Sequence, residues 1–179
     1  MKRRRKPILE CAAVSSSVEA FELLRASGAP VSYNHGILLS AVMSVCLYLP
    51  LTDEDSGSQH YKRLMALIRH LVDVFGCDVN SVFYGSYYGS GSTCSTPLCW
   101  IACHKVRGAR ELVRFLLDRG DDVDLAGPTD DGVEIQSART AAMRGRNSYF
   151  LDLVAEWEAE KQNRVRSEEV IGACSEQGG

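Results

Sequence analysis

Residues 111–124 read ELVRFLLDRGDDVD, and this stretch decides the fold because its pattern also stands at two earlier places in the chain. The earlier copies are VEAFELLRASGAPVS at residues 18–32 and LIRHLVDVFGCDVN at residues 67–80. In every copy, apolar residues stand eight, five and four positions before a glycine, a spacing that forms one stripe along a helix. A glycine at that place supplies the left-handed residue that ends a helix. The three glycines are Gly28, Gly76 and Gly120.

A second helical segment, rich in small residues, precedes each of these helices. The segments are PILECAAV from Pro7, GILLSAVMS from Gly36 and TPLCWIAC from Thr96, and a fourth, QSARTAAMRGRNSYFLDLV from Gln136, opens a pair that has no closing glycine. Alanines at close intervals allow neighbouring helices to pack with little separation. Two antiparallel helices and an extended arm, repeated along the chain, predict a stacked solenoid in which each unit buries its apolar face against its neighbours.

These residues resemble the ankyrin repeat, whose usual pattern is T-P-L-H-x-A-A, then G-H, then a V-V-x-x-L-L helix, then G-A-D-V-N. The third unit matches this pattern at the largest number of positions, which are Thr96, Pro97, Leu98, Ala102, Val113, Leu116, Leu117, Gly120, Asp122 and Val123. From the Thr position to the closing glycine, the first three units span 21, 40 and 24 residues, and 21 is the family's own interval. The resemblance implies an all-α fold, an ankyrin-type helical solenoid of about four helix-turn-helix repeats with extended arms.

The resemblance divides the chain into a basic N-terminal tail at 1–6, an ankyrin-repeat domain at 7–160 and a polar C-terminal tail at 161–179, which we expect to be frayed. Within the domain, the repeats span about 7–33, 36–80, 95–125 and 136–157, and the second carries an insertion at 47–61. No unit keeps the histidine of T-P-L-H, whose place is taken by Glu10, Leu39, Cys99 and Arg139. The hydrogen bonds from that side chain to the backbone are therefore expected to be lost or replaced.

The charge distribution limits the classes of partner. The net charge is −3 although Lys2 to Lys6 are all basic, so the body of the chain is acidic. An acidic body argues against nucleic-acid binding, which needs clustered Lys and Arg on the folded surface. The basic run is typical of a nuclear import signal or of a solvated tail. The longest apolar stretch, Ile37 to Leu51, is about 15 residues long, whereas a membrane span needs roughly 20, so we expect no contact with a membrane.

Neither metal binding nor catalysis is predicted. The seven cysteines are scattered through apolar runs, and we expect reduced, mostly buried thiols in a cytoplasmic or nuclear protein. Cys94, Cys99, Cys103 and His104 stand close together, but no C-x2-C pair is present, and the ankyrin pattern already accounts for these positions. No nucleophile, phosphate-binding or zinc-protease motif accompanies the histidines. We therefore predict a protein that is not an enzyme and has no cofactor.

Two stretches of the predicted arms are candidate contact surfaces. The long arm from Ser81, SVFYGSYYGSGST, places Tyr84, Tyr87 and Tyr88 among glycines and serines, a composition that recognition loops favour. The alternative is a loop whose tyrosines fold back on the solenoid. Residues 118–134 are strongly acidic and would attract a basic partner segment through Asp121, Asp130 and Asp131. The alternative is a solvated turn, because Asp is common in turns.

The ankyrin resemblance also implies which other positions make contacts. The arm-tip positions of the second unit are Tyr33 and His35, and the contact positions of the first helices include Met43, His104 and Arg144. Trp100 stands at a position that is normally apolar and is expected in the core. The sequence therefore predicts a protein–protein interaction module, a scaffold or adaptor, that binds another protein. The alternative is the substrate-recruiting or regulatory segment of a larger enzyme or of a ubiquitin-ligase adaptor.

Overall fold

The computed structural model describes residues 8–14, 17–30, 36–48, 59–82, 96–128 and 134–175 of the 179-residue chain. Eight α-helices make up most of these residues, so the predicted all-helical class is confirmed. They are α1 Ile8–Val14, α2 Val18–Ala26, α3 Gly36–Tyr48, α4 Gln59–Arg69, α5 Pro97–His104, α6 Arg110–Asp118, α7 Ala138–Gly145 and α8 Ser148–Ser175. A π-helical turn at His70–Val74 extends α4, and a 3₁₀ turn at Arg107–Ala109 precedes α6. The strands β1 Gly127–Pro128 and β2 Glu134–Ile135 pair antiparallel.

Hydroxyl side chains cap the N-termini of three of the helices. The backbone N–H of Ala20 donates to Ser17 Oγ over 3.1 Å at the start of α2. The same bond, also 3.1 Å long, joins the N–H of Cys99 to Thr96 Oγ1 at the start of α5 and the N–H of Thr140 to Ser137 Oγ at the start of α7. Each cap satisfies one of the backbone donors that a helix leaves free at its N-terminus.

The predicted glycine ends are confirmed. Gly28, Gly76 and Gly120 all lie in the left-handed region, with φ of 81°, 78° and 88°. After Gly28 and Gly120 the N–H of the next residue donates to the carbonyl five residues earlier, as Asp121 does to Leu116 over 3.0 Å. After Gly76, which follows the π-helical turn, the N–H of Cys77 donates to the carbonyl of Leu71, six residues earlier. This Schellman arrangement turns the chain away from the helix axis and brings the residue after the glycine against the last turn of the helix.

The eight helices form four consecutive pairs, α1–α2, α3–α4, α5–α6 and α7–α8, and the first helix of each pair contacts the first helix of the next. The core lies between them, and its largest fully buried side chains include Leu9, Phe21, Leu38, Leu64, Ile68, Leu98, Leu112 and Phe150. Trp100 is buried, as predicted. Every described side chain of α3 from Gly36 to Val45 is buried, as expected for a helix that is apolar around its whole circumference.

Two sequence-based expectations differ from the structure at the ends of the helix array. In the second and third units the stripe residues are buried or half-buried, but Leu23 in the first unit is 69% exposed. At the other end α8 continues to Ser175, so the expectation of a frayed segment from Lys161 is wrong for residues 161–175. The run from Lys161 to Ser167 is exposed along its whole length.

The predicted irregularities between helices have local structural counterparts. The third unit is three residues longer than the first between its Thr position and its glycine, and the three-residue turn Arg107–Ala109 lies within that interval. In the second unit α3 extends to Tyr48 and α4 begins at Gln59, so helix occupies both ends of the predicted insertion at 47–61. Within the described segments, no helix combines the length and the apolar character that crossing a membrane requires.

Candidate functional site

The predicted contact residues fall into two groups. Four of them, Met43, His104, Asp121 and Arg144, are described by the structure. The remaining seven lie outside the described residues, and they are Tyr33, His35, Tyr84, Tyr87, Tyr88, Asp130 and Asp131. For those seven the assignment as contact residues stays a prediction.

The structure corrects the prediction that Met43 is a contact residue. Its side chain is 6% exposed, and neighbouring Ser44 is buried as well and donates its hydroxyl to the Ser40 carbonyl over 2.9 Å. The reason is that α3 is 13 residues long, whereas α5 and α7 have eight each. Position 43 therefore falls inside a long covered helix, while the matching positions of α5 and α7 fall at exposed helix ends.

Asp121 is also buried and cannot serve as an exposed contact residue. Its side chain is 4% exposed, because the residue after the glycine in a Schellman motif packs against the last helical turn. Burial raises the pKa of this carboxyl from 3.8 to about 8, and the nearby charge of Asp122 adds to the shift. The Leu98 backbone favours the ionised form, but neither carboxylate oxygen has a well-aligned hydrogen bond within the described part of the chain.

The other described acids of the 118–134 stretch bind groups of the protein itself. Trp157 Nε1 donates to Asp118 over 2.8 Å, and the N–H of Asp124 donates to Asp122 over 2.9 Å. Asp124 in turn forms an ion pair of 2.8 Å with Arg139. Asp118, Asp122 and Asp124 are also exposed, so they favour the alternative of a solvated turn over a surface that attracts a basic segment, and that prediction now depends on Asp130 and Asp131.

Two predicted residues, His104 and Arg144, lie on a surface formed by the C-terminal ends of α5 and α7. We define the α5–α7 end surface by the exposed residues Cys103, His104, Lys105, Met143, Arg144 and Arg146. The two helices contact each other. Near their C-terminal ends, Lys105 Cε lies 4.0 Å from the position that a Cβ on Gly145 would occupy. Lys105 and Arg146 each have φ of 52°, and this left-handed conformation ends the two helices in the same way.

An aromatic stack fixes the imidazole on this surface. The rings of His104 and Trp100 are stacked with centroids 4.0 Å apart, and His104 Nδ1 donates to the Trp100 carbonyl over 2.9 Å. Arg144 Nη1 donates to Gln136 Oε1 over 3.4 Å, and Met143 is 58% exposed. The surface therefore presents an oriented ring, an exposed apolar side chain and several cationic groups.

Sequence reasoning missed Asn147, which holds the end surface together. Its buried amide donates from Nδ2 to the Ala102 carbonyl over 2.9 Å, and its backbone N–H donates to Ala142 over 2.8 Å. Asn147 Oδ1 also accepts from the N–H of Phe150 over 3.2 Å, which caps α8. The available signal was an Asn directly before an apolar helical run, the usual N-cap position. No local sequence pattern indicates the hydrogen bond from Asn147 to Ala102 on α5.

Replacing Asn147 by alanine is expected to lower the free energy of unfolding by about 1–3 kcal/mol, because the N-cap is lost and a buried carbonyl loses its donor. Urea denaturation followed by circular dichroism measures this change. Asn163→Ala is the matched control, since Asn163 is exposed in the middle of α8 and should stay within about 0.5 kcal/mol of the wild type. Equal effects of the two substitutions would contradict the role given to Asn147.

The end surface offers no arrangement that resembles a catalytic or metal centre. Of its members, Cys103 and His104 are the side chains that could ligate a metal or react, and they are neighbours in sequence on an exposed helix end. No group of three or more His, Cys, Asp or Glu side chains converges anywhere in the described residues. Contrary to the expectation of mostly buried thiols, Cys11 and Cys103 are exposed and Cys46 and Cys77 are half-buried, while Cys99 is buried.

Comparisons with known proteins leave the chain without an assigned family. No protein-family model matches it, and neither the curated proteins nor the solved structures yield a match. The case for a function therefore depends on the chain's own residues and on their geometry.

Proposed function

We propose that the chain is a divergent ankyrin-type solenoid that binds another protein and has no catalytic activity. The order of contacts supports the solenoid: α1, α3, α5 and α7 follow one another through space in the order of the sequence, and each is paired with its own second helix. Such an array buries apolar surface between neighbouring units and leaves one continuous face of helix ends and arms for a partner.

Bonds between the segments that follow Gly76 and Gly120 support the same architecture. Asn80 stands at the last position of G-x-D-V-N in the second unit, and its Nδ2 donates to the carbonyl of Gly120 over 2.8 Å. Asn80 Oδ1 accepts from the N–H of Asp122 over 2.8 Å. One amide thus holds the arms of two successive units side by side, which is the geometry the ankyrin pattern implies.

The positions that lack the family's histidine make replacement contacts. The Cys99 thiol donates to the Gln136 carbonyl over 3.3 Å and so joins the third unit to the start of the fourth. At the same position of the fourth unit, Arg139 pairs with Asp124 and with Glu158, at 2.8 Å and 2.6 Å. The Cys99 and Asp124 contacts join successive units, the Glu158 contact lies within the fourth pair, and together they support the view that the lost histidine bonds have been replaced.

The observation that carries the binding proposal is the α5–α7 end surface. It presents an exposed methionine, a stacked imidazole and cationic groups together, and aromatic residues, Met and Arg are enriched at protein interfaces relative to the rest of the surface. The surface stands on two helices held by Asn147 and not on a loop, so a partner would meet a preformed site. We expect a scaffold or adaptor role for the chain.

Affinity capture from native lysate tests this proposal. Capture by the wild-type chain is compared with capture by a triple variant, His104→Ala, Met143→Ala and Arg144→Ala. The variant is expected to retain the specific partner at least about tenfold less well, equivalent to about 1.4 kcal/mol.

A matched control removes exposed side chains elsewhere, through Leu23→Ala, Val74→Ala and Val165→Ala. Circular dichroism verifies that both variants keep their helices. If both variants capture the same proteins as the wild type, or if the control loses the partner equally, the α5–α7 end surface is not the binding site.

A further inference from the structure

The α5–α7 end surface differs from the rest of the described protein in how its positive charges are balanced. Seven described arginines form ion pairs with carboxylates, and they are Arg25, Arg69, Arg110, Arg114, Arg119, Arg139 and Arg164. Half of the eight pairs join neighbouring second helices or the turns that follow them, as Arg119 with Asp73 at 2.6 Å and Arg110 with Glu156 at 2.7 Å. These acidic side chains therefore balance arginines outside the α5–α7 end surface.

Lys105, Arg144 and Arg146 take part in none of the ion pairs within the described segments. The two segments that build the surface, 97–109 and 138–147, contain no Asp or Glu at all. Lys105 Cε lies 4.0 Å from the place that a Cβ on Gly145 would occupy, and Gly145 stands between Arg144 and Arg146, so the three cationic residues are neighbours in the fold. Their mutual repulsion is not relieved by any described carboxylate of their own elements.

The helix dipoles do not account for three cations. Positive side chains at a helix C-terminus are favourable, because each helix end carries roughly half a negative charge. Two helix ends would therefore balance about one of the three positive charges. Among the side chains that the structure describes, an excess of positive charge therefore remains on this surface, whereas the net charge of the chain is −3.

The exposed apolar side chain of the surface favours an acidic peptide over a nucleic acid as its ligand. Nucleic-acid contacts are dominated by phosphate neutralisation over long basic tracks, whereas this surface is short and carries Met143, which is 58% exposed. His104 presents one edge of a ring whose face is covered by Trp100. A peptide segment that combines carboxylates with an apolar side chain matches both features.

We propose that the α5–α7 end surface binds an acidic segment of a partner protein, with Lys105, Arg144 and Arg146 facing its carboxylates and Met143 contacting an apolar side chain. This inference rests on the proposed binding function and names the chemistry of the partner. It reverses the sign expected from the acidic arm, whose described carboxylates are bonded within the protein or buried.

The test uses immobilised full-length chain and pools of short peptides with fixed positions occupied by glutamate, glutamine or lysine and all other positions randomised. The glutamate pool should be retained on the order of tenfold better than the glutamine pool at low ionic strength, and the lysine pool least. Sequencing of the retained glutamate pool should show enrichment of apolar residues at randomised positions. Arg144→Glu with Arg146→Glu should abolish the preference for glutamate.

The control variant, Lys62→Glu with Arg166→Glu, changes the net charge by the same amount at exposed positions on α4 and α8 and should keep the preference. Loss of the preference in both variants, or no preference in the wild type, overturns the proposal. An oligothymidylate retained as strongly as the glutamate pool also overturns it, because the surface would then bind polyanions in general.

The chain's own acidic stretch, Asp53 to Asp55, follows α3, which contacts α5. If the glutamate pool is retained only after these three acids are neutralised, the occupant is that stretch and not a partner. A separate result would contradict the proposed function: the triple alanine variant would capture the same proteins from lysate as the wild type. The triple variant could lose the captured partner while the wild type shows no preference among the peptide pools. That result would support the proposed function and contradict the inference that the partner segment is acidic.

Discussion

Replacing Leu116 by alanine is expected to lower the free energy of unfolding by about 2–5 kcal/mol. Leu116 is fully buried on α6, in the third of four helix pairs. The substitution removes apolar burial and leaves a cavity that a closely packed core fills only in part. A residue in an inner unit of a stack also loses contacts on both sides. Urea denaturation followed by circular dichroism measures the change.

The matched control makes the same substitution at an exposed leucine. Leu23 is 69% exposed on α2, so Leu23→Ala should change the free energy of unfolding by less than about 0.5 kcal/mol. Both leucines belong to the apolar stripe recognised from the sequence, so the comparison isolates burial from residue type. Equal destabilisation by the two substitutions would show that the helix pairs are not stacked as described.

The parts of the fold that depend on local chemistry could be predicted from the sequence. Gly28, Gly76 and Gly120 end their helices because glycine adopts the left-handed conformation without a steric penalty. Thr96 caps α5 because its hydroxyl reaches an N–H three residues away. Signals of this kind lie within a few residues of the structure that they specify, so spacing alone is sufficient to find them.

The parts that depend on neighbouring units could not be predicted in the same way. Met43 and Cys103 occupy equivalent positions in the repeat pattern, yet one is buried and the other exposed, because the helices that carry them differ in length. The link from Asn147 to Ala102 joins residues 45 positions apart. The charge balance of the end surface likewise depends on which carboxylates form ion pairs with arginines elsewhere, and these pairs join residues that are far apart in the sequence.

Asp121 is the residue at which pattern and environment conflict most. In the G-A-D-V-N pattern its place is held by alanine, and the equivalent residues after Gly28 and Gly76 are Ala29 and Cys77. Here that place is taken by a carboxyl group, and the position is buried, whereas Ala29 and Cys77 are half-buried. Burial of an ionisable group without a well-aligned hydrogen bond destabilises the folded state.

The pKa shift of Asp121 makes this destabilisation dependent on pH. Below about pH 4 the carboxyl is protonated in both the folded and the unfolded chain, so ionisation adds no penalty to that of burying the polar group. Between about pH 4 and pH 8 the unfolded chain ionises while the folded chain keeps its proton, because burial raises the folded-state pKa from 3.8 to about 8. This group therefore lowers the free energy of unfolding as pH rises, by up to about 1.4 kcal/mol per pH unit.

Asp121→Ala is accordingly expected to stabilise the protein at pH 7 by about 2–4 kcal/mol, since it removes a penalty of that order and leaves a small side chain at a position that usually holds one. Urea denaturation of the wild type and the variant across pH 4 to pH 8 should show the difference growing with pH. Asp152→Ala, at an exposed position of α8, should leave the pH dependence unchanged. A difference between Asp121→Ala and the wild type that is constant with pH would mean that Asp121 is ionised in the folded protein. Its buried carboxylate would then need a cationic or hydrogen-bonding partner from the part of the chain outside the described residues.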